Sequence, residues 1–128
     1  MEKIRPIGIN DLQDCLRVIN ESFATVAKEF NLTEQNCPRH PSFMKIDTLQ
    51  KRFAEGYQMF GLYDQEKLVG YVSMSIDENN AAELHNLSVL PDYRHKGYGK
   101  NLLDYCEKRA KELGCGKIKI EIIEETKY

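Results

Sequence analysis

The chain has no tryptophan, only four cysteines and four prolines, and no long apolar run. Each scarcity excludes something. A membrane-spanning helix needs about 20 consecutive apolar residues, and the opening Met1-Glu2-Lys3-Ile4-Arg5-Pro6 has no apolar signal core. A cytoplasmic protein is expected. Cys15, Cys37, Cys106 and Cys115 lack the short paired spacings of a disulfide framework, so free thiols are expected in a reducing compartment. Cys37 and His40 form one Cys/His pair, short of the roughly four ligands that a structural zinc needs, and no metal is expected. Charge of either sign is also not in surplus. Eighteen basic against twenty acidic residues leave a net charge of -2, which provides no global attraction to nucleic acid or to an anionic membrane. Any basic patch must be local.

What is present suits one soluble domain spanning residues 1–128. A chain of this size can bury roughly two-thirds of its unfolded surface without staples. Lys3 to Gly8 reads as a first strand. Asn10-Asp11-Leu12-Gln13 resembles a capping box with Asn10 as N-cap. Behind it Leu12, Cys15, Leu16, Ile19, Phe23, Val26, Ala27 and Phe30 recur at helical spacing, to about Asn31. Residues 31–45 are polar and broken by Pro38 and Pro41, a long connection of the kind that often carries function. A second helix starts at Asp47, with Leu49 and Phe53 inward and Gly56 as its stop.

The period then changes to two. Strands are expected over Tyr57–Tyr63, Leu68–Ile76 and Ala82–Val89, joined by polar turns, which makes an antiparallel meander. After a glycine turn, Tyr98, Leu102, Cys106, Ala110 and Leu113 form the buried stripe of a third helix that ends at Gly114. Ile118, Ile120 and Ile122 alternate with charged residues in a last strand with one solvated face. A strand-helix-strand unit is normally a right-handed parallel crossover. The expected class is therefore α/β (α+β): a mixed, mostly antiparallel sheet flanked by helices, in the order β-α-α-β-β-β-α-β.

The turn Arg94-His95-Lys96-Gly97-Tyr98-Gly99 stands out from the rest. Glycine lets main-chain N–H groups approach a ligand closely, and the helix that follows begins with unpaired N–H groups and partial positive charge. Phosphate oxygens suit such a place, and Arg94, His95 and Lys96 concentrate positive charge there. The spacing is neither that of a P-loop nor that of a dinucleotide fingerprint.

The run from Asn86 to Leu103 resembles the acetyl-CoA-binding motif of the GNAT family, the general-control-type N-acetyltransferases. That motif is Arg/Gln-x-x-Gly-x-Gly/Ala, preceded by a strand that ends in an apolar-x-Val-x-Pro pattern. The resemblance implies a GNAT-like fold and a single acetyl-CoA-binding domain over residues 1–128. It implies direct transfer of an acetyl group from acetyl-CoA, as co-substrate, to a small-molecule or peptide amine. It places the cofactor pyrophosphate on N–H groups of Arg94, His95, Lys96, Gly97, Tyr98 and Gly99. It places the pantetheine arm beside the main chain of Leu87, Ser88 and Val89, where an extended arm can pair as an added strand. That pairing calls for a bulge near Asn86 or Leu87 and a gap before the last strand. The alternative function is a CoA-binding sensor or assembly module without turnover.

Acetylating an amine of pKa about 10.4 requires a base. Glu83 stands where histone-type members of the family carry a glutamate base, and lies roughly 20 Å of strand from Val89. His85 shares its face, and histidine is the residue type that titrates nearest neutral pH. Either could serve, as could a water chain. Arg39, His40 and Glu34 in the long connection are expected near the acceptor. Family members usually continue with a further helix and two strands, which often supply a tyrosine to protonate the departing thiolate. This chain stops at Tyr128, and an open sheet edge there would favour pairing with a second copy.

Overall fold

A computed structural model describes residues 2–120. Strand β1 (Glu2–Pro6) leads to helix α1 (Leu12–Glu29), helix α2 (Ile46–Ala54), strands β2 (Gln58–Asp64), β3 (Lys67–Ile76) and β4 (Ala81–Val89), helix α3 (Tyr98–Glu112) and strand β5 (Lys117–Ile120). The sheet order is β1-β2-β3-β4-β5. The first four strands are antiparallel neighbours, and β5 lies parallel to β4. The expected element order and mixed sheet are both observed.

Alternation along the strands sends successive side chains to opposite faces. One face carries Phe60, Leu62, Gly70, Met74 and Leu84 under α3. There Tyr105 meets Phe60 edge-on at 5.0 Å, and Leu102 fills the space left by Gly70. The other face carries Tyr71, Ser73, Ser75, Glu83 and His85 on the side of α1, against which α2 packs. Cys15, Val18 and Ile19 of α1 and Leu49 of α2 are fully buried in that layer. Burial raises the thiols of Cys15 and, on the inner face of α3, Cys106 to about 12.

Four local expectations are corrected. Asn10 is not the N-cap. Residues Ile9–Asp11 form a 3-10 turn that moves the start of α1 to Leu12, so Asp11 holds the N-cap position, and its Oδ2 accepts the Gly8 N–H at 3.2 Å. Leu113 lies just past the last turn of α3 and is 38 % exposed. Ile118 and Ile120 are exposed too, because α3 lies over β2, β3 and β4 and leaves β5 at the rim. The fourth concerns His40, which is buried, meets Phe23 edge-on at 5.8 Å and bonds Ser42 Oγ at 2.7 Å. His40 anchors its loop and is not displayed to a ligand. Ile122 lies outside the described residues. No described helix is long and apolar enough to cross a membrane.

Candidate active site

Strand β4 runs through the site, and its main chain is irregular at one point. Ser73 pairs with His85 and Tyr71 with Ser88, so Asn86 and Leu87 together oppose Val72. This is the bulge anticipated from the sequence. Asn86 takes the left-handed conformation at φ 54. It is 5 % exposed, its Oδ1 accepts from Arg52 Nη1 of α2 at 2.6 Å, and its carbonyl accepts from Ser88 Oγ at 2.7 Å.

Beyond the bulge the strand is regular again, and hydrogen bonding separates its two edges. Leu90 N–H donates to Val69 O at 2.9 Å, and Ser88 opposite Tyr71 is in the same phase. The main-chain groups of Ser88 therefore face β3. Those of Val89 face away, but both are engaged within the chain. The Val89 N–H donates to Ser22 Oγ of α1 at 3.2 Å, and the carbonyl accepts from Arg94 Nε at 3.3 Å. Leu87, by alternation, presents its main chain on the same side as Val89. Of the three strand residues implicated by resemblance, the geometry favours Leu87 as the one whose main chain a ligand could read. The gap between β4 and β5 beyond Leu84 and Ile120 involves residues outside the described ones.

After Leu90 a 3-10 turn (Pro91–Tyr93) carries the chain into the loop. Arg94 points back into the protein. Besides Val89 it reaches the Ser22 carbonyl and, at 3.3 Å, Thr25 Oγ1. It fastens the loop to α1. His95 and Gly97 both take positive φ, 65 and 81, and this folds the loop back before α3 begins. Gly97 is the N-cap, with no side chain to cap the helix. A Cβ added at Gly99 would meet no described atom within 4 Å, so that glycine leaves the loop surface open. The first bond into the helix is Asn101 N–H to the Gly97 carbonyl at 3.0 Å. The loop N–H groups ahead of it lie where a helix start holds anions. Lys96 is exposed, its Nζ 5.7 Å from the Tyr93 ring. The Tyr98 side chain is buried and donates to Asp64 Oδ2 at 2.6 Å, so only its main chain is at hand. Glycine, positive charge and a helix start thus fit an extended phosphorylated ligand such as CoA.

At the other end of β4, Glu83 and His85 share a face of the strand with Tyr71, Ser73 and Ser75 of β3. His85 is buried, shares a hydrogen bond with Ser75 Oγ through Nε2 at 2.9 Å, and lies 5.3 Å from the Tyr57 ring. Glu83, opposite Ser75, is half-buried. Tyr71 lies on the same face, fully buried, its hydroxyl without a hydrogen-bond partner among the described residues. Burial raises its pKa above the ordinary tyrosine value, with a smaller opposing effect of Ser73. In the long connection, Asn20 Nδ2 holds the carbonyls of Pro41 and Met44 at 2.9 and 3.3 Å, while exposed Glu34 pairs with Lys45 and Arg39 is exposed. The Asn20 bonds tie the connection to α1.

Arg52, Ser22 and Thr25 were missed in the sequence. Ser22 left a signal, as a polar residue on the apolar stripe of α1. Arg52 left none, because a basic residue in the last turn of a helix also suits the helix dipole.

Comparison with known proteins agrees with this geometry. An uncharacterized N-acetyltransferase in the lysA 3' region of Bacillus methanolicus is 26% identical over 68 residues, which is 52% of this chain and 57% of that protein. The match thus spans little more than half of that relative. Among solved structures, the PaiA N-acetyltransferase of Thermoplasma acidophilum in complex with coenzyme A superposes with a TM-score of 0.73 at 24% identity, over 97% of this chain and 80% of that one. The ribosomal-protein-S18-alanine N-acetyltransferase of Escherichia coli gives 0.75 at 20% identity, over 95% and 67%. An aminoglycoside acetyltransferase from an uncultured soil metagenomic sample, in complex with sisomicin, gives 0.71 at 20% identity, over 96% and 78%. At these identities the shared property is the fold. The family model of the acetyltransferase (GNAT) family matches residues 22–127, from Ser22 on α1 through the bulge, the glycine turn and β5, and by that match the chain belongs to the GNAT acetyltransferases.

Proposed function

We propose that this protein transfers an acetyl group from acetyl-CoA directly to an amine. The observation that carries the reading is the bulge at Asn86 on β4 and, eleven residues on, the glycine N-cap of α3 at Gly97. In this reading the N–H groups of the Arg94–Gly99 loop hold the pyrophosphate, and Leu87 pairs with the pantetheine amide groups. The acyl end then lies towards Glu83, which takes the proton of the incoming ammonium directly or through water. His85 is already bonded to Ser75 and stacked near Tyr57, which suits it to shape the wall of the site, so Glu83 is the first choice as base. The acceptor is a small-molecule or peptide amine.

Thermal unfolding tests the binding half. Acetyl-CoA at about 100 times its Kd should add about 2.7 kcal/mol of stability. A shift with ATP and none with acetyl-CoA would sink the reading. Release of CoA thiol against a panel of amines tests turnover; binding without release from any amine would leave a CoA-binding module.

A further inference from the structure

The Asn86 bulge lacks the support that its conformation usually has. L residues other than glycine occupy the left-handed region at a cost, and asparagine tolerates it through local hydrogen bonds of its side chain. Here the side-chain oxygen bonds instead to a guanidinium from another element, 34 residues away in sequence. Arg52 is itself positioned. It sits in the last turn of α2, 5.7 Å from the centre of the Tyr57 ring, and Tyr57 in turn packs on His85. A charge-assisted bond to a buried amide is among the stronger kinds of hydrogen bond. Asn86 is thus gripped at Oδ1 from α2 and at its carbonyl from Ser88.

We propose that Arg52 is a positioning residue. It holds Asn86 in the left-handed bulge, and the bulge sets the phase of Leu87, Ser88 and Val89 along the edge of β4. The role of that edge in receiving the pantetheine arm rests on the function proposed above; the latch itself does not. By this link, α2, on the acceptor side, determines the shape of the cofactor side.

Amide hydrogen exchange separates the two ideas, with Arg52→Met, Asn86→Gly and the double variant. The Ser88 and Val89 amides are held by β3 and by Ser22, so they report on the phase of the strand. Arg52→Met should speed their exchange about tenfold while Ala82 to Leu84 change little. Glycine needs no latch at positive φ, so in the Asn86→Gly background the same substitution should change exchange by less than about twofold. Arg52→Met should also weaken acetyl-CoA binding, and Asn86→Gly should restore it. Unchanged exchange at Ser88 and Val89, equal acceleration along all of β4, or an equal effect in both backgrounds would overturn the latch. If the unaltered protein fails to bind acetyl-CoA, the proposed function fails, and the exchange data still decide the latch.

Discussion

At its C-terminal end β4 leads into a loop whose chemistry lies in the main chain. Two residues at positive φ, a glycine N-cap and a second glycine with no described atom near its Cβ position shape the loop ahead of the first N–H groups of α3, as the proposed anion site requires. At its N-terminal end the chemistry lies in side chains. There Glu83 and His85 are flanked by Ser75 from β3, Tyr57 from before β2 and Arg52 from α2. A main-chain site needs only local backbone geometry, which a short peptide run can specify. A side-chain site needs neighbours from several elements, and only the fold can assemble them.

The contrast can be tested by substitution. The largest effect is expected at Gly97. Its φ of 81 and its place ahead of α3 make Gly97→Glu both strained and electrostatically opposed to a phosphate. Stabilisation by acetyl-CoA should vanish, with affinity down at least about 100-fold. A retained shift would show that the loop is not the anchor. At the other end of β4, Glu83→Gln should lower kcat by roughly 100-fold with little change in the KM for acetyl-CoA, and His85→Gln should lower it less. The reverse order in steady-state kinetics would make His85 the base.

Arg94 comes next, because resemblance puts its main chain at the cofactor while its side chain is a tie to α1 and β4. Arg94→Met removes bonds to Ser22, Thr25 and Val89. It should cost about 2 kcal/mol in denaturant unfolding, with any loss of acetyl-CoA affinity smaller than at Gly97. An unchanged midpoint would mean that the tie to α1 is idle. The smallest effect is expected at Tyr71, between the two ends. Its buried hydroxyl has no partner among the described residues, so Tyr71→Phe should leave stability unchanged or raise it by up to about 1 kcal/mol. A marked loss in calorimetry would reveal a bound water or ligand that the hydroxyl holds.

Much of the fold was legible because period and punctuation are local. The change from helical to alternating spacing at Tyr57, and Gly56 and Gly114 as helix stops, marked elements that the structure reproduces. Even the bulge was foreseeable near Asn86, through the resemblance of the run that follows it. The misplaced details depend on competition or on distant partners. Asp11 stands at the N-cap position expected of Asn10 and turns its carboxylate back to the Gly8 N–H. His40, in a polar loop, is drawn inward by Phe23, which only the packing of α1 brings to it.

By itself the sequence determined that one strand, one glycine turn and one helix start would form an anion-suited unit, because glycine conformation and helix polarity are properties of the backbone. The tertiary structure alone decided which atoms of that unit stay available. Ser22 and Arg94 occupy the main chain of Val89, β3 faces that of Ser88, and Arg52 reaches across from α2 to the bulge. Hydrogen-bond donors and acceptors are satisfied by whatever packing brings near, and residues 34 to 72 positions apart in sequence meet only when the sheet and helices have closed around β4.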